Sequence, residues 1–352
     1  MHYLFVFGTR PEAMKLFPLA RVLRSRGEKV TLLSTSQHPD LLAGVMEVFD
    51  MACDLSLPLP KKERDFIDLL RMFVTYLPRY ISECSPSAVV VQGDTLSAFC
   101  GALVSFLMKV PAIHIEAGLR TYQSDSPYPE EALRRMIAPM TTVHFTTTEQ
   151  AKTHLQKEGI QDHIYHVGNT IYDAMRCLCP KRQRSTPPYV LVTTHRRESD
   201  GEIRQGIFCA IRRLADAFVD FTFLVVLNEN WKIQALAHQM LDEKKNIKLL
   251  PPKRPDAFYS LLSGATLVLT DSGGISEEAS ALGLFPLVLR DTTEREWERE
   301  EGKLCVVGTS EERIFRTVSE YIKKGIPIEK TTDMPKDSPS EHIADILQRI
   351  ML

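Results

Sequence analysis

The sequence lacks the features that would assign the protein to a membrane, secreted or nucleic-acid-binding class. No apolar run approaches the roughly 20 residues of a membrane-spanning helix, and the apolar part of the first 14 residues is too short for a signal peptide. The formal net charge of the 352 residues is only −2, so no basic field attracts nucleic acid. We therefore expect neither a membrane nor a nucleic-acid partner.

Cysteine is scarce and poorly spaced for a metal or redox site. Of the seven cysteines, only Cys177 and Cys179 lie close together, and their spacing fits neither a zinc knuckle nor a redox CxxC motif. Several others lie in apolar stretches, where a thiol packs as a small hydrophobic group. Because disulfides are rare in reducing compartments, we expect a cytoplasmic protein. Walker, HExxH and GxSxG motifs are missing too, which argues against a P-loop NTPase, a zinc protease and an α/β-hydrolase.

What the sequence does contain is a regular alternation of short apolar runs and helical patterns. This alternation is typical of a parallel sheet with helices on both faces. It occurs in two series, before and after VGNT at 167–170, so we expect an α/β protein with two Rossmann-like, doubly wound domains and a cleft between them. We predict an N-terminal domain over residues 1–168, a C-terminal domain over 169–335 and a final helix within 336–352.

A basic motif follows the first predicted strand, and ligands of such sheets bind beyond the carboxyl ends of the strands. GTRPEAMK at 8–15 offers Arg10 and Lys15, two cations that suit a phosphate or a carboxylate. Its spacing is not that of a standard glycine-rich fingerprint. An ordinary solvated turn with two basic residues is the alternative.

Three acids follow later strands of the first series and are candidates for acid–base chemistry. Asp94 comes after the run AVVVQG, and Glu116 comes after AIHI. Glu130 begins a helix together with Glu131, where either acid is favourable beside the helix dipole. Asp94 has the alternative role of capping the next helix. If Asp94, Glu116 and Glu130 converge in one cleft, they titrate as a group and divide into general acids and bases.

The second series also carries polar motifs at its strand ends. THRRES at 194–199 places His195 beside two arginines, where a histidine can donate to a phosphate or shuttle a proton. A purely structural histidine is the alternative. Arg295 follows a later strand of the same series and is another candidate ligand of a phosphate.

The stretch TDSGGISEEASALG at 270–283 joins a predicted strand to a predicted helix. Ser272, Gly273 and Gly274 can bring backbone N–H groups close to a diphosphate at the helix N-terminus. Two glutamates follow almost at once, which is unexpected beside a phosphate. We expect the first of them, Glu277, to face solvent.

Seven motifs together resemble those of the non-hydrolysing UDP-N-acetylglucosamine 2-epimerases: GTRPEAMK, VVVQGDT, HIEAGLRT, PEEALRR, THRRES, TDSGGISEEASALG and TTERE. They occur in the order and with the spacing of that family, from residue 3 to about residue 309. The resemblance implies a glycosyltransferase-B architecture in which the last helix packs back on the N-terminal domain. It also implies a homodimer, a UDP-sugar substrate, and neither a cofactor nor a metal.

The activity that the resemblance implies is the reversible conversion of UDP-N-acetylglucosamine to UDP-N-acetylmannosamine, for cell-surface polysaccharide synthesis. UDP is eliminated to leave a 2-acetamidoglucal and then adds back, while a proton returns to the other face of C2. Asp94, Glu116 and Glu130 are then the acid–base candidates, and His195 contacts the leaving diphosphate. Which of the three carboxylates removes the C2 proton stays open.

Nine further residues match positions at which this family contacts its substrate: Arg10, Lys15, Arg134, Phe258, Ser272, Gly273, Gly274, Glu278 and Arg295. The resemblance assigns the diphosphate to Arg10 and to the segment 272–274. It places the uracil ring against Phe258. Glu278 would accept hydrogen bonds from the ribose hydroxyls.

The sequence departs from the family's usual pattern at several positions. Ser276 stands where Gln is usual, Leu133 where Asn is usual, and Glu296-Trp297 where Pro-Glu is usual. A hydrolysing epimerase that releases UDP and N-acetylmannosamine, and a non-catalytic nucleotide-sugar-binding protein, therefore stay as alternatives. A glycosyltransferase is disfavoured, since such an enzyme usually needs one base rather than three acids.

Bacterial members of the family commonly bind a second UDP-N-acetylglucosamine as an allosteric activator. Asp40, Arg64 and Val226 stand where that site usually has two glutamines and a histidine, whereas Gln37-His38 is kept. We predict that this activation is weak or absent, so initial rates should rise hyperbolically with the concentration of UDP-N-acetylglucosamine. A sigmoidal curve, or a requirement for this sugar to start the reverse reaction, would contradict the prediction.

Overall fold

The structure, a computed structural model, divides into two compact units. The first unit consists of Met1–Ala174 and Lys336–Leu352, and the second of Met175–Pro335. The division follows residue 174, whereas the sequence placed a domain boundary after residue 168. The residues that the structure describes are 1–37, 39–58, 65–123, 128–179, 185–194, 201–228, 230–291, 299, 302–325 and 336–350.

A seven-stranded parallel sheet forms the centre of the first unit. Its strands are β1 (His2–Phe7), β2 (Lys29–Ser34), β3 (Leu55–Ser56), β4 (Ala88–Gln92), β5 (Ala112–Ala117), β6 (Val143–Thr146) and β7 (Ile164–His166). Its helices before the division are α1 (Arg10–Ser25), α2 (Pro39–Phe49), α3 (Phe66–Cys84), α4 (Leu96–Leu107), α5 (Glu130–Ile137), a short 3-10 turn (Ala138–Met140) and α6 (Glu149–Lys157). Helix α7 (Ile171–Leu178) crosses the division. The strands lie in the order β3-β2-β1-β4-β5-β6-β7.

The strand order of the first sheet reverses between β1 and β4. Tyr3 lies beside Ala88 and Phe5 beside Val90, so these two strands run in parallel from neighbouring positions. Almost every residue of both strands is buried, as expected when helices cover both faces of a parallel sheet. A reversal of this kind leaves a crevice beyond the strand ends, and such crevices are the usual ligand sites of open α/β sheets.

The second unit contains a six-stranded parallel sheet. Its strands are β8 (Tyr189–Thr193), β9 (Thr222–Val226), β10 (Ile247–Leu250), β11 (Leu267–Thr270), β12 (Pro286–Val288) and β13 (Cys305–Val306). Its helices are α8 (Glu202–Ala217), α9 (Trp231–Leu241), α10 (Pro255–Gly264), α11 (Gly273–Ala281) and α12 (Glu311–Lys324). The strand order β10-β9-β8-β11-β12-β13 reverses between β8 and β11, where Thr193 lies beside Thr270.

Each unit is thus a doubly wound α/β sheet, and the predicted fold class is confirmed. Apolar side chains of strands and helices form a separate core in each unit, with Val6, Val89 and Phe73 in the first and Val192, Ile211 and Val318 in the second. Over the described ranges, no helix has both the length and the apolar character that crossing a membrane requires.

The last helix, α13 (Pro339–Arg349), packs against α1 within the first unit. Ser340 N donates to Asp173 Oδ2 at 2.8 Å, which fixes the start of the helix. Its apolar face buries Ile343 and Leu347. On the surface, Arg26 donates to Asp345 Oδ1 at 2.7 Å. The helix therefore completes the first unit, although about 160 residues separate it in sequence from the rest of that unit. The entropic cost of closing a loop rises only slowly with its length, so this separation adds little to the cost.

Burial rather than charge should hold α13 in place. We expect Ile343→Ala to lower the free energy of unfolding by about 2–5 kcal/mol, because it leaves a cavity in a packed core. Arg26→Ala should cost about 1 kcal/mol or less, since its ion pairs are partly exposed. Urea unfolding followed by circular dichroism measures both values, and a larger effect at Arg26 than at Ile343 would refute this order.

Candidate active site

The chain leaves β1 through a turn that requires glycine. A Cβ atom on Gly8 would lie 2.1 Å from Thr35 Oγ1 and 2.4 Å from Ser97 Oγ, far inside contact distance. These two hydroxyl groups bond to each other at 2.7 Å, so the backbone of Gly8 packs directly on them. This close approach sets the start of α1, where Arg10 is the half-buried first residue.

A buried glutamate joins this turn to the turn after β4. Glu12 Oε2 accepts hydrogen bonds from Gly8 N at 3.0 Å, from Thr9 N at 2.8 Å and from the Thr9 hydroxyl at 2.8 Å. Glu12 Oε1 accepts from the hydroxyl of Thr95 at 2.6 Å. Burial raises the pKa of Glu12 to about 7, although these donors act in the opposite direction. One side chain thus fixes two neighbouring strand-end turns.

Lys15 and Glu116 form an ion pair inside the first unit, with side chains only 6% and 8% exposed. Lys15 Nζ and Gln92 Nε2 both donate to Glu116 Oε2. Glu116 lies at an irregularity between Ile115 and Ala117 and has a φ of 63°. This left-handed conformation costs a residue other than glycine about 1–3 kcal/mol and is concentrated at functional sites. The geometry therefore favours a functional role for Glu116.

Asp94 is held by Arg134. Arg134 Nε donates to Asp94 Oδ2 at 3.0 Å, and Nη2 donates to the same oxygen. The side chain of Asp94 is 26% exposed and that of Arg134 only 7%, so a ligand reaches the carboxylate more easily than the guanidinium. The cap of α4 is Thr95, whose hydroxyl accepts from Ala98 N at 3.0 Å. Asp94 is therefore not needed as the helix cap.

The residue before Asp94 is fixed as well. Gly93 has a φ of 68°, a conformation that favours glycine. His114 Nε2 donates to Gly93 O at 2.7 Å. Burial lowers the pKa of His114 to about 3, so this ring is neutral and acts as a structural anchor. Asp94 thus extends from a turn with little freedom.

The Arg134–Asp94 pair also brings α5 to this edge of the sheet. Glu130, one turn before Arg134, is the half-buried first residue of the helix. Six predicted site residues of the first unit thus lie at the carboxyl ends of β1, β4 and β5 or on helices joined to them: Arg10, Lys15, Asp94, Glu116, Glu130 and Arg134. Carboxylates paired with cations in one crevice can hold and exchange protons.

In the second unit, α11 presents its N-terminus at the end of β11. Ser272 caps the helix, because its hydroxyl accepts from Ile275 N at 3.4 Å. Gly273 and Gly274 are the first two residues of α11 and are half-buried. Among the atoms that the structure describes, a Cβ atom on Gly274 would meet only Ser272 Oγ, at 4.0 Å.

The expectation that Glu277 faces solvent is wrong. Its exposed fraction is 3%, and that of Glu278 is 1%. Helix α11 packs against β11 and β12, and every residue from 275 to 279 is buried. A helix covered all round has no solvent face, so periodicity does not show which glutamate is exposed.

The remaining predicted positions divide between buried and undescribed residues. Phe258 is buried in α10, and its ring lies at 72° to that of Tyr259, with 5.7 Å between the ring centroids. Leu133, Val226 and Ser276 are buried too, and Ser276 Oγ has no hydrogen-bond partner among the described atoms. Several positions lie outside the described residues: Arg64, His195, Arg295, Glu296, Trp297 and the side chain of Asp40.

Sequence reasoning missed Gln92, Glu12 and the contacts of Glu131. Gln92 is a polar residue at the end of an apolar strand, which is a usable signal. Thr9 and Glu12 form a capping box, whose T-x-x-E pattern is also visible in the sequence. Within the described ranges, no group of three or more His, Cys, Asp or Glu residues is arranged to hold a metal ion.

Comparison with known proteins gives one consistent family. A family model described as UDP-N-acetylglucosamine 2-epimerase matches residues 21–348. A UDP-N-acetylglucosamine 2-epimerase of Bacillus subtilis is 35% identical over 326 residues, which are 90% of this chain and 86% of that protein. The corresponding enzyme of Neisseria meningitidis is 34% identical over 342 residues, 92% of this chain and 91% of that protein.

A solved structure agrees with these sequence matches. The crystal structure of UDP-GlcNAc 2-epimerase from Neisseria meningitidis, bound to UDP-GlcNAc, superposes with a TM-score of 0.91 and 32% identity. The match covers 99% of this chain and 100% of that chain. The glycosyltransferase-B type of the two-sheet fold and the resemblance of the motifs are thereby confirmed.

Glu12 should make stability depend on pH. The raised pKa means that between about pH 4.5 and 7 the folded state keeps a proton that the unfolded chain releases. Stability should therefore fall as pH rises through this window, by roughly 3 kcal/mol at about 1.4 kcal/mol per pH unit. Glu12→Gln should lack this fall, because an amide does not titrate.

Urea unfolding of the wild type and of Glu12→Gln at pH 5 and pH 8 measures the difference. Glu83→Gln is a matched control, since Glu83 is exposed on α3 and pairs only at the surface. Its stability should follow the wild type at both pH values. Parallel pH curves for the wild type and Glu12→Gln would show that Glu12 titrates normally.

Proposed function

The chain belongs to the UDP-N-acetylglucosamine 2-epimerase family, and we propose that it performs this epimerisation through the acids at the edge of the first sheet. UDP leaves with the electron pair of the C1–O bond, and a carboxylate removes the C2 proton. The C–H electron pair becomes the C1=C2 bond of a 2-acetamidoglucal. UDP then adds back while a proton reaches the opposite face of C2.

The observation that carries the proposal is that two carboxylates end adjacent strands and each is paired with its own cation. Gln92 lies beside Ile115 in the sheet, so the turns that bear Asp94 and Glu116 are neighbours. Lys15 neutralises Glu116, and Arg134 neutralises Asp94. Each cation offsets the charge of its carboxylate, and a carboxylate can accept the C2 proton. Proton removal and return on two faces needs at least two such groups.

Glu130 is the third acid–base candidate, because α5 is tied to Asp94 through Arg134. Lys15 and Arg134 stay candidates for substrate contacts, and their bonds to acids suggest that they also tune those acids. Which carboxylate acts on which face of C2 is the part that variants must decide.

For the nucleotide, we propose the N-terminus of α11. Ser272, Gly273 and Gly274 supply half-buried backbone groups that suit a diphosphate, and Glu278 lies further along the same helix for the ribose. Four further assignments stay predictions: Arg10 and His195 as contacts of the diphosphate, Arg295 as a further substrate contact, and Phe258 against the uracil ring. The resemblance also implies neither a metal nor a cofactor.

We extend the proposal to a homodimer that works in the cytoplasm and supplies a nucleotide sugar for cell-surface polysaccharide. The resemblance of the seven motifs supports the dimer and the pathway. The seven cysteines are thiols, which suits a reducing compartment.

Incubation with UDP-N-acetylglucosamine in D2O should yield UDP-N-acetylmannosamine with deuterium at C2, because the C2 proton exchanges in the glucal step. Proton and phosphorus NMR follow the product. Free N-acetylmannosamine with UDP would instead indicate the hydrolysing alternative. No turnover would leave a nucleotide-sugar-binding protein.

Asp94→Asn and Glu116→Gln should each lower kcat by about 100-fold or more. Glu83→Gln should not lower it. Normal turnover in either site variant would remove that residue from the mechanism.

A further inference from the structure

Glu131, the second glutamate of PEEALRR, is almost inaccessible, with 1% of its surface exposed. Its neighbour Glu130 carries the predicted catalytic role, so Glu131 has no function assigned by the resemblance. A buried carboxylate needs donors on both oxygens, and its set of donors shows what it fixes.

Glu131 accepts three hydrogen bonds from two elements. Its Oε2 accepts from Thr121 N at 3.0 Å and from Arg134 Nη1 at 2.9 Å. Its Oε1 accepts from Tyr122 N at 3.1 Å. The first and third donors belong to the segment after β5, and the second belongs to α5.

Arg134 is thereby held between two carboxylates. Nη1 meets Glu131, whereas Nε and Nη2 meet Asp94. A guanidinium is planar and its donors have fixed directions, so a bond at Nη1 restricts where Nε and Nη2 can point. Without Glu131, the guanidinium would lose its bond at Nη1 and keep its two bonds to Asp94, so the orientation of that pair would be less restricted.

Glu131 is not the main anchor of the segment after β5. Arg120 forms two bonds to Glu158, from Nε at 2.8 Å and from Nη2 at 2.7 Å. His154 Nδ1 donates to Gly118 O at 3.0 Å. These contacts anchor the segment independently, so losing Glu131 should not release it as a whole.

We propose that Glu131 is a positioning residue that orients the Arg134 guanidinium, and through it the Asp94 carboxylate, while it fixes Thr121 and Tyr122 after the strand that carries Glu116. This inference rests on the proposed acid–base role of Asp94. Glu131 itself does not touch the reacting atoms; it acts through Arg134.

Kinetics of the full chain with UDP-N-acetylglucosamine test the proposal. Glu131→Ala should lower kcat by about 100-fold, as expected for a small misplacement of a catalytic group. KM should change by less than about threefold, since the nucleotide contacts lie elsewhere. Glu158→Ala is the matched control: it removes the other carboxylate that anchors the same segment, and kcat should stay within a few-fold of the wild type.

A double-mutant cycle separates positioning from general destabilisation. In an Arg134→Ala background, Glu131→Ala should slow turnover by less than about twofold, because the residue through which it acts is already gone. If Glu131→Ala does not fold, Glu131→Gln keeps the volume and one acceptor oxygen. It should show a smaller loss of kcat that also disappears in the Arg134→Ala background.

The outcomes distinguish the role of the Asp94–Arg134 pair from the positioning role of Glu131. Normal turnover of Arg134→Ala would overturn the role of the Asp94–Arg134 pair, and the positioning role with it. Slow turnover of Arg134→Ala, with the full loss from Glu131→Ala added to it, would overturn positioning by Glu131 and leave the proposed function intact. A higher KM with unchanged kcat in Glu131→Ala would overturn it as well.

Discussion

At one edge of the first sheet, carboxylates are removed from solvent and need hydrogen-bond donors. The turns and helices around this edge depend on that requirement. Glu12 and Glu131 are buried there, and the side chain of Glu116 is only 8% exposed. An ionised carboxylate buried without partners would cost more than the roughly 5–15 kcal/mol by which a folded domain is stable. Backbone N–H groups and hydroxyls donate hydrogen bonds to Glu12. The ammonium of Lys15 and the amide of Gln92 donate to Glu116. Backbone N–H groups and the guanidinium of Arg134 donate to Glu131.

Two of these hydrogen bonds join distant parts of the chain, so the motifs at this edge depend on one another. The bond from Thr95 to Glu12 spans 83 residues, and that from Lys15 to Glu116 spans 101. Parallel strands bring the two ends of each bond to the same edge, since all their carboxyl ends point one way. Changing one motif therefore leaves a buried partner in another without its hydrogen bond, and that penalty exceeds the loss of a surface contact.

The fold class could be predicted from the sequence, because few architectures accommodate an alternation of strands and helices. The sequence also predicted that Asp94 and Glu116 lie at the carboxyl edge of the first sheet, since each comes at the end of a buried apolar run. The pairing of Arg134 with Asp94 joins residues 40 positions apart in sequence and depends on tertiary packing. The hydrophobic periodicity of the sequence does not reveal such a pair. The burial of Glu277 was mispredicted for the same reason, because covering elements decide it rather than the helix itself.

In the proposed nucleotide site, helix α11 would combine an anion-binding N-terminus with buried acids. The N–H donors lie in its first turn, and the effect of the helix dipole also fades within about one turn. Glu278 comes five residues after Gly273, about 7.5 Å further along the axis at 1.5 Å per residue. A carboxylate at that distance opposes a phosphate at the end of the helix less than one in the first turn would, and it can accept hydrogen bonds from a neutral group. The order of donors first and acceptor second matches that of diphosphate and ribose in a nucleoside diphosphate, so Glu278 is compatible with the proposed phosphate site.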